Sequence, residues 1–127
     1  MIDGLFGGTN YLAAKKGLDA CVVRQQAIAR NIANIETPGY RRVDLDSSFQ
    51  SQFSQAIQSG QSSSISSLQP GVSIDAAALP KNADGNSVTL VDELLSMQEN
   101  GMQHAVQAQL VTGRLARLRS AITGRSA

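Results

Sequence analysis

A chain of 127 residues with a formal net charge of +1 has room for one domain. It carries neither the basic footprint of a nucleic-acid binder nor a polybasic face for anionic lipid. Aromatic residues are 4%, tryptophan is absent and cysteine occurs once, which excludes a disulfide within the chain, a cysteine-based zinc site and an aromatic-rich core.

The opening Met1-Ile2-Asp3-Gly4-Leu5-Phe6-Gly7-Gly8 has no basic stretch and no long apolar run, so it does not read as a secretory signal peptide. No run of about 18 apolar residues occurs anywhere, so no transmembrane helix is expected. Residues 10 to about 35 read as a helix, with Thr9 or Asn10 as its N-cap. Tyr11, Ala14, Leu18, Cys21, Gln25, Ile28, Ile32 and Ile35 recur alternately three and four residues apart, the spacing of a coiled-coil seam. Cys21 lies on that seam and reads as a small core hydrophobe. Gln25 is a polar breach in it, either a register-setting residue or a tolerated one. Asn31 and Asn34 are poor helix-interior residues placed near the end, where an amide can compete for backbone hydrogen bonds.

Residues 36–42 form the next element, a turn. Pro38 has no N–H and keeps Thr37 out of the helical region. Pro38-Gly39 suits the centre of a type II turn, with Gly39 at positive φ. Tyr40-Arg41-Arg42 leaves the turn in extended chain. Asp44 and Asp46, two residues apart beside Arg41 and Arg42, read as a solvated charge cluster and not as an acid–base pair.

The middle, residues 46–87, differs in kind. Between Ser47 and Ser67 there are ten serines and five glutamines, and the whole stretch is expected to be loose and flexible because it buries too little to offset its ordering entropy. Within it, residues 48–58 could make a short amphipathic helix through Phe49, Phe53, Ala56 and Ile57. Residues 61–67 show no period, and Val72 and Ile74 alternate as in a short strand.

Residues 89–123 read as a second long helix. Thr89 and Asp92 resemble a capping box. Asp92 and Glu93 at one end and Arg114, Arg117 and Arg119 near the other match the helix dipole. The seam reads Leu90, Leu94, Met97, Gly101, His104, Ala108, Val111, Leu115, Leu118 and Ile122, thin in its centre. His104, the only histidine, has no metal-ligating company and reads as a packed structural residue. No phosphate loop, metalloprotease motif or nucleophile elbow occurs, so neither an enzyme nor a cofactor is expected.

The expected fold is therefore mainly α: a single elongated unit in which long N- and C-terminal helices pair as a coiled coil or helical hairpin, joined by a loose, partly extended middle. Apolar stripes wider than two helices can satisfy imply further helices from other chains. The assembly seam falls on Leu18, Ile28, Ile32, Leu90, Leu94, Leu115, Leu118 and Ile122.

One string adds to this. Ala29-Arg30-Asn31-Ile32-Ala33-Asn34 with Thr37-Pro38-Gly39-Tyr40 resembles the N-terminal signature of the flagellar basal-body rod proteins. Gln25-Gln26, the run from Arg41 to Asp46, and the stretch from Gly85 to Ile122 are similar to the rod protein B family of the proximal rod. Ser47-Ser48 stands where a Phe commonly follows in that family. The resemblance implies a structural subunit of the bacterial flagellar basal body. It would build the periplasmic proximal rod that transmits motor torque, and would be exported without a cleaved signal. Asn31, Asn34, Thr37, Pro38, Gly39 and Tyr40 would shape a turn used in assembly. Implied partners are further copies, other rod proteins, the adaptor at the rod base and the flagellar export apparatus. No small-molecule substrate is implied. The alternative is a soluble helical-hairpin adaptor or chaperone that binds one partner helix.

Overall fold

A computed structural model of the chain describes residues 8–124. In chain order the elements are α1 (Thr9–Ala33), β1 (Val43–Leu45), α2 (Ser47–Ser59), α3 (Ser62–Ser67), β2 (Val72–Ile74) and α4 (Leu90–Thr123). The fold is mainly helical, and the two long terminal helices pack on each other as expected. They run antiparallel, since Gly17 meets Gln107, the Cys21 carbonyl meets Asn100, and Asn31 meets Glu93.

Small residues decide how closely the helices pack. Ala14, Gly17, Ala20, Cys21 and Ala27 are buried on α1. A Cβ on Gly17 would lie 2.8 Å from Cδ of Gln107, so a larger residue there would push the end of that glutamine aside. Neither Thr9 nor Asn10 is the N-cap of α1. Gly8 takes that position without a side-chain bond, and the Thr9 hydroxyl instead donates to the Gly60 carbonyl at 3.2 Å. Thr89 does cap α4 in position, but its hydroxyl bonds the Asp92 carboxylate and not a backbone N–H, so there is no capping box.

The apolar core lies where the middle packs on α1, not along the seam of the two long helices. Ile28, Val43, Phe49, Ile65 and Val88 are its buried members. The middle, expected to be loose, carries regular structure. Helix α2 forms where its apolar spacing placed a helix, opened by the Asp46 carboxylate accepting from Ser48 N–H at 3.0 Å. Phe49 and Phe53 stack with centroids 5.5 Å apart. Residues 61–67, which lack a period, nonetheless form α3. One isoleucine, Ile65, anchors it in the core. Its serines bond back to their own helix, Ser66 to the Ser63 carbonyl and Ser67 to that of Ser64. Strands β1 and β2 pair antiparallel, Val43 with Ile74 and Leu45 with Val72. Val72 and Ile74 both face outward, 41% and 50% exposed.

The apolar stripe of α4 does not pack on α1. Leu90, Leu94, Leu115 and Ile122 are exposed, Leu118 is half-buried, and His104 is exposed where a packed histidine was expected. On α1, Ile28 is buried while Leu18 and Ile32 are half-buried. The face α4 turns toward α1 instead bears Glu93 and Asn100, both buried, and Gln107 against Gly17. These three are seven residues apart, so the inner heptad stripe is polar. The physical reason is that α1 offers hydrogen-bonding groups there, the Asn31 amide and the Cys21 carbonyl, which select polar partners over leucine.

Candidate functional site

The site is built at the end of the hairpin where α1 hands the chain to β1. Its turn has the expected form: Tyr40 N–H donates to the Thr37 carbonyl at 3.2 Å, and Gly39 has φ +69°, as a type II turn requires. Gly39 N–H donates to the Asp84 carbonyl at 2.9 Å. Gly85 comes close beneath it, such that a Cβ there would lie 3.7 Å from the Gly39 Cα.

Where a helix ends, the cap and turn carbonyls that follow it need partners from elsewhere. Here Asn86, fully buried, supplies one from across the chain. Its Nδ2 donates toward the carbonyls of Asn34, Ile35 and Thr37 at 3.0, 3.0 and 2.8 Å. Its Oδ1 accepts from Val88 N–H at 2.8 Å. Asn34, the C-cap residue, turns its own amide to the Arg30 carbonyl and accepts from the Thr37 hydroxyl.

Asn31 acts as a substitute strand. Its Nδ2 donates to the Val43 carbonyl at 2.8 Å, and its Oδ1 accepts from Val43 N–H at 2.9 Å. Both backbone groups of the first β1 residue are thereby satisfied by a helix side chain. Nδ2 also reaches Glu93 Oε2 at 3.1 Å, and the Tyr40 hydroxyl donates to Asn31 Oδ1 at 3.3 Å.

Arg42 sits at the centre. Its Nε donates to Glu93 Oε1 at 2.6 Å, its Nη1 to Asp75 Oδ2 at 2.7 Å and to Asp44 Oδ2 at 3.0 Å, and its Nη2 to the Ser96 hydroxyl at 3.3 Å. Glu93 is fully buried and Arg42 is 9% exposed. Burial alone would lower the Arg42 pKa; the hydrogen bonds and charges of Glu93 and Asp44 outweigh it and hold the guanidinium above its ordinary value. Asp44 also pairs with Arg24 at 3.1 Å. Burial pushes its pKa up, but Leu45 N–H and the charges of Arg24 and Arg42 prevail and hold it below the usual carboxylate value. Arg42 and Asp44 therefore belong to a network that reaches α1, β1, Asp75 just after β2, and α4, and are not a solvated pair, whereas Arg41 is exposed and Asp46 caps α2.

Of the residues singled out in the sequence, Asn31, Asn34, Thr37 and Tyr40 share one hydrogen-bonded node, with Gly39 tied to it through Asp84. Thr37, Pro38 and Gly39 are exposed. Leu90, Leu94, Leu115 and Ile122 lie outside it, on uncovered faces of α4. Sequence reasoning missed Glu93, Asn86 and Ser87, whose hydroxyl accepts from Arg42 N–H at 2.8 Å. The available signal was the spacing of Arg42 and Asp44, which puts both on one face of an extended chain.

Nothing in the node is arranged for bond chemistry. Its carboxylates are engaged by arginines. Cys21 is buried, which pushes its thiol pKa up. Among the described residues no group of His, Cys, Asp and Glu could hold a metal, and no helix is long and apolar enough to cross a membrane. What the node does is fasten. Outside it, α4 exposes Leu90, Val91, Leu94, Leu95, Met102 and Val106, between 49% and 76% each.

Fold and site thus define a structural class: an antiparallel helical hairpin, riveted at one end by a buried polar node and apolar along its outer faces. No known protein-family profile matches the chain. It is similar to the flagellar basal body rod protein FlgB of Borrelia hermsii, 27% identical over 111 residues that span 73% of this chain and 80% of that one.

Proposed function

We propose that the chain is a structural, non-catalytic subunit of the bacterial flagellar basal body, one of many copies that build the proximal rod and carry torque across the periplasm. The similarity to a rod protein supports this reading, and one observation carries it physically. The apolar residues of α4 are on the outside, where about 1.5–3 kcal/mol per large side chain is gained only when another surface covers them. Subunits stacked on a helical lattice supply such surfaces repeatedly. Other rod proteins, the adaptor at the rod base and the export apparatus are the partners this role entails. The turn Thr37–Tyr40 would present its exposed residues to a neighbouring subunit.

The test is made in a motile bacterium that encodes this chain. Deleting the gene should abolish motility and leave basal bodies that end below the rod in electron micrographs. Normal rods in the deletion strain would overturn the proposal.

A further inference from the structure

Asn31 seals one edge of the small sheet, since both backbone groups of Val43 bond to its side-chain amide. The other edge is open. Asp75 N–H donates to the Arg42 carbonyl at 2.9 Å, and Asp46 N–H to the Gly71 carbonyl at 2.8 Å. With Asp44 opposite Ser73, these bonds make Arg42–Asp75, Asp44–Ser73 and Asp46–Gly71 the bonded pairs of the antiparallel ladder. Val72 and Ile74 fall between them, so their N–H and C=O groups point away from β1. None of these four groups has a partner among the described residues. Both residues are exposed, 41% and 50%, and neither a charged side chain nor a proline lies within β2 to blunt the edge.

Only extended backbone can meet four such groups in a row, and β2 is its own complement. Set a second β2 antiparallel to the first, with Ser73 opposite Ser73. Val72 then exchanges both bonds with Ile74 of the second copy, and Ile74 with its Val72, so every free group on both strands is met. Other registers do worse. An odd slip sets groups that point inward against groups that point outward. An even slip one way brings Pro70, which has no N–H, opposite Ile74. An even slip the other way brings Ala76 opposite Val72, and Ala76 lies in the turn that Ala78 N–H closes on the Asp75 carbonyl at 3.2 Å. In the favoured register Val72 and Ile74, two apart and on one face, stand opposite each other as two β-branched pairs. Charge agrees with it: Asp75 comes opposite Gly71 and not opposite another carboxylate, and its own charge is held by Arg42 at 2.7 Å. A Cβ on Gly71 would meet nothing within 4 Å, so there is room at that position.

We infer that two copies of this chain pair through the open edge of β2, making a four-stranded antiparallel sheet with its two-fold axis at Ser73. A two-fold contact closes on itself, so it cannot lengthen a rod. It instead takes the edge out of reach of open-ended strand addition. Two three-residue strands give a contact well below the roughly 1,200–2,000 Å² of stable interfaces. The pair is therefore short-lived, and covalent trapping reads it where sedimentation does not. Nothing in this pairing depends on a role in the rod.

In a Cys21→Ala background, Ser73→Cys places two thiols at a non-bonded antiparallel pair, whose Cα atoms lie about 4.5 Å apart, within disulfide reach. With oxidised glutathione present, the full chain should form an intermolecular disulfide at least roughly tenfold faster than a Ser63→Cys control, as expected of thiols brought to high effective concentration. Ser63 is an exposed serine of α3, and each rate is corrected for the thiol's own rate with a small disulfide reagent. Adding Val72→Lys to Ser73→Cys sets a hydrated charge against Ile74 of the second copy. It should remove most of that advantage and leave the melting temperature unchanged, because the Val72 side chain already meets water. Equal rates for Ser73→Cys and Ser63→Cys overturn the pairing, and so does a Ser73→Cys rate that Val72→Lys leaves unmoved. The comparison with Ser63→Cys decides the matter even where Val72→Lys harms folding. Both measurements are made on the purified chain, so normal rods in the deletion strain would end the rod reading and leave this pair standing.

Discussion

Arg42 and Glu93 are the residues on which the node depends. A carboxylate with no solvent exposure is tolerable only while its charge is paired and its oxygens are bonded. Arg42→Met is expected to destabilise the chain by about 3–5 kcal/mol, because it strands Glu93 in the interior. Adding Glu93→Leu should recover much of that loss, since the pair replaced by apolar groups leaves no uncompensated charge. Urea unfolding of the two single variants and the double variant gives the coupling directly, and additive losses would contradict the arrangement. The pH dependence follows from Asp44. Its folded pKa is depressed below the ordinary aspartate value, so its contribution is fully present above the unfolded carboxylate value and is lost as pH falls through the lower folded one. Stability should therefore hold from neutral pH to about 5 and decline below about 4, and Asp44→Asn should flatten that decline. Asn86→Ala leaves three carbonyls without their shared donor and is expected to cost about 1–3 kcal/mol.

The turn and the helices show what a sequence can and cannot reveal at the scale of elements. Gly39 at φ +69° sits in a region that a β-branched side chain strongly resists. Gly39→Val should cost about 1–2 kcal/mol and loosen the link between Gly39 N–H and the Asp84 carbonyl; amide exchange at Gly39 and Tyr40 measures both. That turn was legible because Pro38-Gly39 is a local instruction. So were the long helices, whose apolar spacing persists over many turns, and α2, whose Phe49 and Phe53 lie one turn apart. The inner face of α4 was not legible. Periodicity ranks faces by hydrophobicity, and here the packed face is the polar one, chosen by Asn31 and the Cys21 carbonyl on the opposite helix. Helix α3 was hidden for a related reason. Serine is a weak helix former in isolation, and one buried isoleucine with hydroxyls bonded to their own backbone is not a pattern that a window can detect. Asn31 was noticed as an unfavourable helix residue, but its partner Val43 is brought to it only by the turn between them.

At the scale of the whole molecule, the hairpin is closed at one end and uncovered along its outer length. A residue such as Ile32, half-buried beside the node, serves folding, so Ile32→Asp should damage the monomer itself. Leu94 is different: it is 52% exposed, on the side of α4 away from the Glu93 stripe. Leu94→Asp should change the stability of the isolated chain by no more than about 0.5 kcal/mol, because the new carboxylate stays in water. In an assembly that covers this face the same carboxylate must be desolvated or expelled, at a cost of several kcal/mol for an unpaired charge. The expected signature is a variant with a wild-type circular dichroism spectrum and melt, no detectable self-association by sedimentation, and no motility when it replaces the native chain. A variant that unfolds would place Leu94 in the monomer's own core, and a motile strain with intact rods would remove this face from the assembly. The two failures are separable because one is read on the purified chain and the other in the cell.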